Sequence, residues 1–142
     1  HLSIRRQRQM CIRDSFKTAT GDVSVTVYGQ RLVATRVTGR LHADFLTRFM
    51  APIDRIMVSG QRVIVYHDWE HLTGYDSEAR VRLTTWATQF FKEIEAVHIL
   101  TGSKIVHMGV SVANLALRGM ITSYTNRHRF EQAFEEATRT YG

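Results

Sequence analysis

Residues 63–77 read Val-Ile-Val-Tyr-His-Asp-Trp-Glu-His-Leu-Thr-Gly-Tyr-Asp-Ser. The first four are β-branched or aromatic with no polar alternation, the pattern of a central strand covered on both faces of a mostly parallel sheet. The polar stretch from His67 to Tyr75 reads as a loop. Beyond it, Ala79, Leu83, Trp86, Ala87, Phe90, Phe91 and Ile94 recur at helical spacing and mark one apolar face of a long helix. Asp76 stands where an N-cap belongs, and Glu78 suits the positive end of the helix dipole. A buried strand followed by a loop and an amphipathic helix is one βα unit, and the rest of the chain extends it in both directions.

Toward the N-terminus, Val23, Val25 and Val27 alternate with polar residues, Gly29-Gln30 is a tight turn, and Arg31 to Val37 gives a second strand. A helical pattern then runs from about Asp44 through Phe45, Leu46, Phe49, Met50, Ile53, Ile56 and Met57. Pro52 inside it predicts a kink or break. Toward the C-terminus, Ala96 to Leu100 reads as a buried strand, Met108 to Leu117 as a short helix ending near Gly119, and Met120 to Tyr124 as a last strand. Asn126 is placed to cap a final helix whose core stripe is Phe130, Ala133, Phe134 and Ala137. The expected fold is therefore α/β in the order β-β-α-β-α-β-α-β-α, with a central, mostly parallel mixed sheet covered by helices.

The chain has 142 residues, 44% of them hydrophobic, which suits one domain with a single core. One cysteine, Cys11, rules out an internal disulfide and a cysteine-based zinc site, and fits a reducing, cytoplasmic setting. No apolar stretch approaches the ~18 residues of a membrane span. The net charge of +6 is unevenly spread, since half of it falls in residues 1–15, where Arg5, Arg6, Arg8 and Arg13 face Asp14 alone. That segment is without helical or strand periodicity, and its Gln-Met-Cys-Ile-Arg-Asp resembles a translated sequencing adaptor. Residues 1–21 are accordingly expected to be a non-native or disordered leader, and 22–142 the domain. Basic residues in the remainder are interspersed with acids, which argues against a nucleic-acid surface.

Two local motifs resemble the STAS domains of anti-sigma factor antagonists and sulfate-transporter tails. Val37-Thr38-Gly39-Arg40-Leu41 is similar to that family's hydrophobic-Thr-Gly-x-Leu lead into a helix. The stretch from Val63 to Asp76-Ser77 resembles its second signature, a strand and loop leading to Asp-Ser-Ser-Gly, whose first serine is the family's phosphorylation site. Here Glu78-Ala79 replaces Ser-Gly, and Arg40 and His42 stand where acids are common. The long aromatic helix is closer to the divergent SpoIIAA-like branch, which is related in shape to CRAL-TRIO lipid carriers. The resemblance implies a STAS-like single domain without enzymatic activity, acting on a kinase or anti-sigma-like protein partner.

On its own chemistry, Ser77 falls in a helix first turn, where free N–H groups and the dipole tolerate a phosphate. Phosphorylation there would add about −1.5 to −2 charges beside Asp76 and Glu78. The plain alternative is a cap and a neutral first-turn serine. His67-Asp68-Trp69-Glu70-His71 holds four candidate metal ligands, but four in five consecutive residues converge poorly, so no metal is expected, and Trp69 reads as a packing anchor. Gly109-Val110-Ser111-Val112-Ala113 approaches a nucleophile elbow without a triad to serve it, and no phosphate-binding glycine loop occurs. No cofactor is expected. The reading is a regulatory protein-interaction module with Ser77 as a switch and Thr73, Gly74, Tyr75, Asp76 and Glu78 as its docking surface. The alternative is a carrier of a lipid or small apolar ligand enclosed by Trp86, Phe90 and Phe91.

Overall fold

The computed structural model describes residues 11–142. Its elements are β1 (Cys11–Thr18), β2 (Gly21–Tyr28), β3 (Leu32–Val37), β4 (Gly39–Leu41), a 3-10 turn (Ala43–Phe45) and α1 (Leu46–Val58). Then follow β5 (Val63–Trp69), β6 (Leu72–Tyr75), α2 (Ser77–Gln89), a second 3-10 turn (Phe91–Glu93), β7 (Ile94–Thr101), α3 (Lys104–Ala116), β8 (Ile121–Tyr124) and α4 (Arg127–Tyr141). Six strands form one mixed sheet in the order β1-β2-β3-β5-β7-β8. The pairs β1–β2 and β2–β3 are antiparallel, and β3–β5, β5–β7 and β7–β8 are parallel. The α/β class and the central place of residues 63–66 follow the sequence reading.

The sheet is covered on both faces. Val23, Val25, Val33, Val63 and Val65 pack with α1, α2 and α3 in the larger core, while Leu32, Ile64, Tyr66 and Leu100 pack under Phe130 and Ala137 of α4. Successive residues of a strand point to opposite faces, so β5 supplies Val63 and Val65 to one core and Ile64 and Tyr66 to the other. No helix among the described residues is long and apolar enough to cross a membrane.

The structure departs from the sequence reading in four places. The ordered fold begins before the boundary expected at Asp22. β1 pairs with β2 along its whole length, from Cys11 opposite Tyr28 to Thr18 opposite Gly21. Its sequence shows no alternation because an edge strand is held mainly by its ladder. Phe16 packs on the core, with the Arg48 guanidinium 4.1 Å above its ring, while Ile12 is exposed. The earlier part of the expected leader, residues 1–10, lies outside the described residues.

Pro52 does not break α1, which runs unbroken from Leu46 to Val58. Seven of its residues are buried, Pro52 among them, so packing outweighs the lost backbone bond. The expected loop at 67–75 is instead the end of β5 and the whole of β6, which pairs in parallel with β4 in a separate two-stranded ribbon. Lastly, the long aromatic helix ends at Gln89. Phe91 lies in the 3-10 turn and Ile94 opens β7, which shortens the apolar face.

Candidate functional site

Two neighbouring features share α2. The first is the surface at its start. Gly39, in the Thr38-Gly39 motif, has φ +79°, and a side chain there would run into the Thr20 carbonyl, so only glycine lets the chain turn into β4. β4 then holds β6, with Thr73 Oγ1 donating to the Gly39 carbonyl at 2.9 Å. Asp76 occupies the N-cap position of α2 but does not cap it. Its carboxylate turns away, accepting from Arg40 Nε and from His42 Nδ1, each at 3.0 Å. His42 Nε2 lies 2.7 Å from Thr20 Oγ1. The hydrogen bond from His42 first, and that from Arg40 after it, hold the Asp76 carboxyl below the usual carboxylate range.

The expectation of an Asp76 side-chain cap is thus corrected. The residues standing where the STAS family commonly has acids, Arg40 and His42, draw the carboxylate off, because a charge-assisted contact competes well with a neutral backbone donor. The first-turn N–H groups of α2 are left without a side-chain cap. Ser77 and Glu78 are exposed in that turn, Tyr75 is half-buried and Gly74 buried.

The second feature is a cavity of about 100 Å³ between the sheet and α2 and α3. Val65, His67 and Trp69 of β5 form its floor, Leu83, Trp86 and Ala87 of α2 one wall, and Val106, Gly109 and Val110 of α3 another. Gly109 is needed there, since a Cβ would come within 2.5 Å of the Tyr75 hydroxyl. His67 is buried between Phe49 and Trp69, ring centroids 5.6 and 4.8 Å away, with Nδ1 2.6 Å from Thr35 Oγ1. Burial pushes its pKa down to about 3, so the imidazole is neutral at ordinary pH. Of the three aromatic residues singled out in sequence, Trp86 lines the cavity. Phe90 packs against Trp86 at 5.9 Å. Phe91 lies outside it, 36% exposed, with Arg118 5.9 Å above its ring.

The cluster at 67–71 divides by strand geometry. His67 and Trp69 face the cavity, whereas Asp68 and Glu70 lie on the opposite face and bind Arg127 of α4. Arg127 also holds Glu131 at 2.9 Å, and its pKa is raised chiefly by Asp68. No group of three or more metal-ligating side chains comes together among the described residues. Ser111 is exposed within α3, its hydroxyl donating to the His107 carbonyl. Sequence reasoning missed Arg127, Arg40 and His42 as partners and placed His67 in a loop. Continuing the strand three residues beyond Tyr66 would have found His67 and Trp69 on the cavity face.

A mixed sheet with three helices on one face and one on the other makes this a SpoIIAA-like α/β fold. The chain is similar in structure to an uncharacterized protein of the DUF3478 family with a SpoIIAA-like fold from Shewanella loihica PV-4. The TM-score is 0.55 at 14% identity, over 86% of this chain and 91% of the other. No protein-family model matches the sequence, and no curated protein matches it.

Proposed function

We propose that the domain is a regulatory module of the STAS type that works by binding, and that it takes a small apolar ligand into the cavity beneath α2. The cavity itself carries this reading. A volume of about 100 Å³ lined by Val65, Leu83, Trp86, Val106 and Val110 is large for a packed interior, where voids above the size of a water are few. It is below the ~150 Å³ of an engineered cavity that admits benzene, so a short branched chain fits as the cavity stands, and a single ring is the upper limit, entering with a small outward shift of α2. A long lipid of the CRAL-TRIO kind needs α2 to move off the sheet.

Ala87→Leu tests it, because a larger side chain on the α2 wall fills the space. Ethylbenzene binding, followed by amide chemical shifts, is expected in the natural chain and absent in the variant, with thermal stability kept. Failure of the natural chain to bind ethylbenzene and other single-ring compounds overturns the reading.

A second reading rests on Ser77. It is exposed in the first turn of α2, and the diversion of Asp76 leaves the N–H groups there without a side-chain cap. A phosphate on Ser77 is compatible with that end of the helix and would repel an acidic partner docked over Thr73 to Glu78. Pull-down with the natural chain and with Ser77→Asp is expected to capture an anti-sigma-like partner with the first and lose it with the second. Ser77 unmodified in its host and Ser77→Asp without effect on any captured partner count against the switch.

A further inference from the structure

Among the described residues, one buried side-chain polar atom has no hydrogen-bond partner: Nε1 of Trp69. Trp69 is 7% exposed and lines the cavity. An indole N–H without an acceptor forfeits its hydration for nothing, and such a group in a native interior calls for an explanation. Three of the cavity's other polar atoms are engaged elsewhere. Trp86 Nε1 donates to Asp54 Oδ1 at 2.9 Å, Thr84 Oγ1 to the Arg80 carbonyl at 2.8 Å, and His67 Nδ1 is bonded to Thr35. No aspartate or glutamate lines the cavity. A water bridging to Trp69 would need two to four polar partners, and this wall is nearly all hydrocarbon.

We propose that the ligand of this cavity is a small apolar molecule bearing one neutral carbonyl-type oxygen, and that this oxygen accepts the hydrogen bond of Trp69 Nε1. The inference rests on the cavity reading above and adds the ligand's chemical class. An anionic acceptor fits less well. His67 is neutral, so it supplies no countercharge, and the one cation on the wall, Arg80, is half-buried and still in reach of solvent. Carrying a carboxylate inside would strand its charge. A plain hydrocarbon fills the space but leaves the donor unpaired.

Three probes of similar size separate these cases: ethylbenzene, acetophenone and benzoate. They are titrated into the full ¹⁵N-labelled chain while its indole N–H resonances are followed. The chain has two tryptophans; Trp86 also lines the cavity but its indole N–H is already bonded to Asp54, so both resonances feel the ligand's ring and a downfield hydrogen-bond shift is expected of Trp69 alone. Acetophenone is expected to bind about fivefold tighter than ethylbenzene, the equivalent of ~1 kcal/mol for one neutral hydrogen bond, and to move the Trp69 indole proton downfield. Benzoate is expected to bind more weakly than either. In Trp69→Phe, ethylbenzene binding persists and the preference for acetophenone disappears.

Equal affinity for ethylbenzene and acetophenone with an unmoved Trp69 resonance overturns the inference and leaves the cavity reading intact. Tighter binding of benzoate than of acetophenone overturns the neutral assignment. Failure of all three to bind removes the cavity reading and this inference with it. Should Trp69→Phe not fold, the indole shift in the natural chain decides alone.

Discussion

One Nη2 nitrogen of Arg127 meets both carboxylate oxygens of Asp68, at 2.8 and 2.7 Å, and so ties the start of α4 to the end of the central strand. Nε of the same side chain reaches Glu70 at 2.7 Å. Asp68 has only 16% of its side chain exposed, which places the pair between a weak surface bridge and a fully buried one. Arg127→Ala leaves two carboxylates, Asp68 on β5 and Glu70 just after it, without their cation and is expected to destabilise the domain by about 2 kcal/mol in urea unfolding. Arg127→Lys is expected to recover less than half of that, since an ammonium cannot span both carboxylates with a planar fork.

That ion network was present in the sequence as Asp68 and Glu70, two residues apart, yet read as loop residues because polar side chains masked the strand. Hydrophobic pattern made the parallel core legible: Val63 to Tyr66, the Ala96 to Leu100 strand and the Phe130 to Ala137 stripe all lie where expected. Pattern fails where backbone pairing or charge decides instead. β1 is held by its ladder to β2, β6 by its pairing with β4, and Asp76 is diverted by Arg40 and His42, whose positions lie more than thirty residues earlier. The cavity was half legible. Trp86 is visible from helical spacing, whereas His67 and Trp69 join it only once β5 is known to continue to residue 69.

α2 is held more loosely than α1. It buries only Ala79 and Ala87, against seven buried residues in α1, and beside shared core packing it is tied to α1 by the Trp86 to Asp54 hydrogen bond at 2.9 Å. Local opening free energy follows buried apolar contact. Amide exchange is therefore expected to be faster across α2 than across β5, whose residues 63 to 67 are all buried. Asp54→Ala should speed α2 exchange further, by the few-fold that losing one hydrogen bond of ~1 kcal/mol implies, with β5 unchanged. Equal protection of α2 and β5 would show that the helix is locked.

His67 gives stability a definite pH dependence. Its pKa is about 3 in the folded state against an ordinary value of 6.5, so between those values the unfolded chain binds the extra proton. The contribution is fully present above about pH 6.5 and is lost as pH falls toward 3, with a slope of at most ~1.4 kcal/mol per pH unit. Asp76, lowered by His42 and Arg40, acts in the same direction, its share being lost as pH falls through and below the usual carboxylate range. Urea midpoints between pH 7.5 and 5 leave the carboxylate aside, and since burial also lowers the pKa of His98, the share of His67 is the difference between the natural chain and a His67 variant. His67→Gln, which retains a polar group for Thr35, is expected to reduce the drop in midpoint across that interval, and Asp76→Asn to alter it little. An unchanged slope in His67→Gln would mean that His67 is protonated in the fold.

Ser77 offers the last test, because a switch has to change binding without unfolding its carrier. Its side chain is exposed at the first position of α2, where added negative charge meets the helix dipole favourably, typically by 0.3–1 kcal/mol. Against this, Glu78 follows directly in the exposed first turn and Asp76 precedes it. Asp76 is already engaged by Arg40 and His42, so its repulsion is largely compensated. The two effects nearly cancel, and Ser77→Asp is expected to change unfolding free energy by less than about 0.5 kcal/mol, the usual range for a surface substitution. Circular dichroism melts of the two proteins check it. A loss above about 2 kcal/mol would mean that charge at this position breaks the start of α2, and Ser77 would then act on folding rather than on partner choice. Glu78→Gln combined with Ser77→Asp should restore any lost stability if the damage comes from like charge, and should not if Ser77 itself holds the turn.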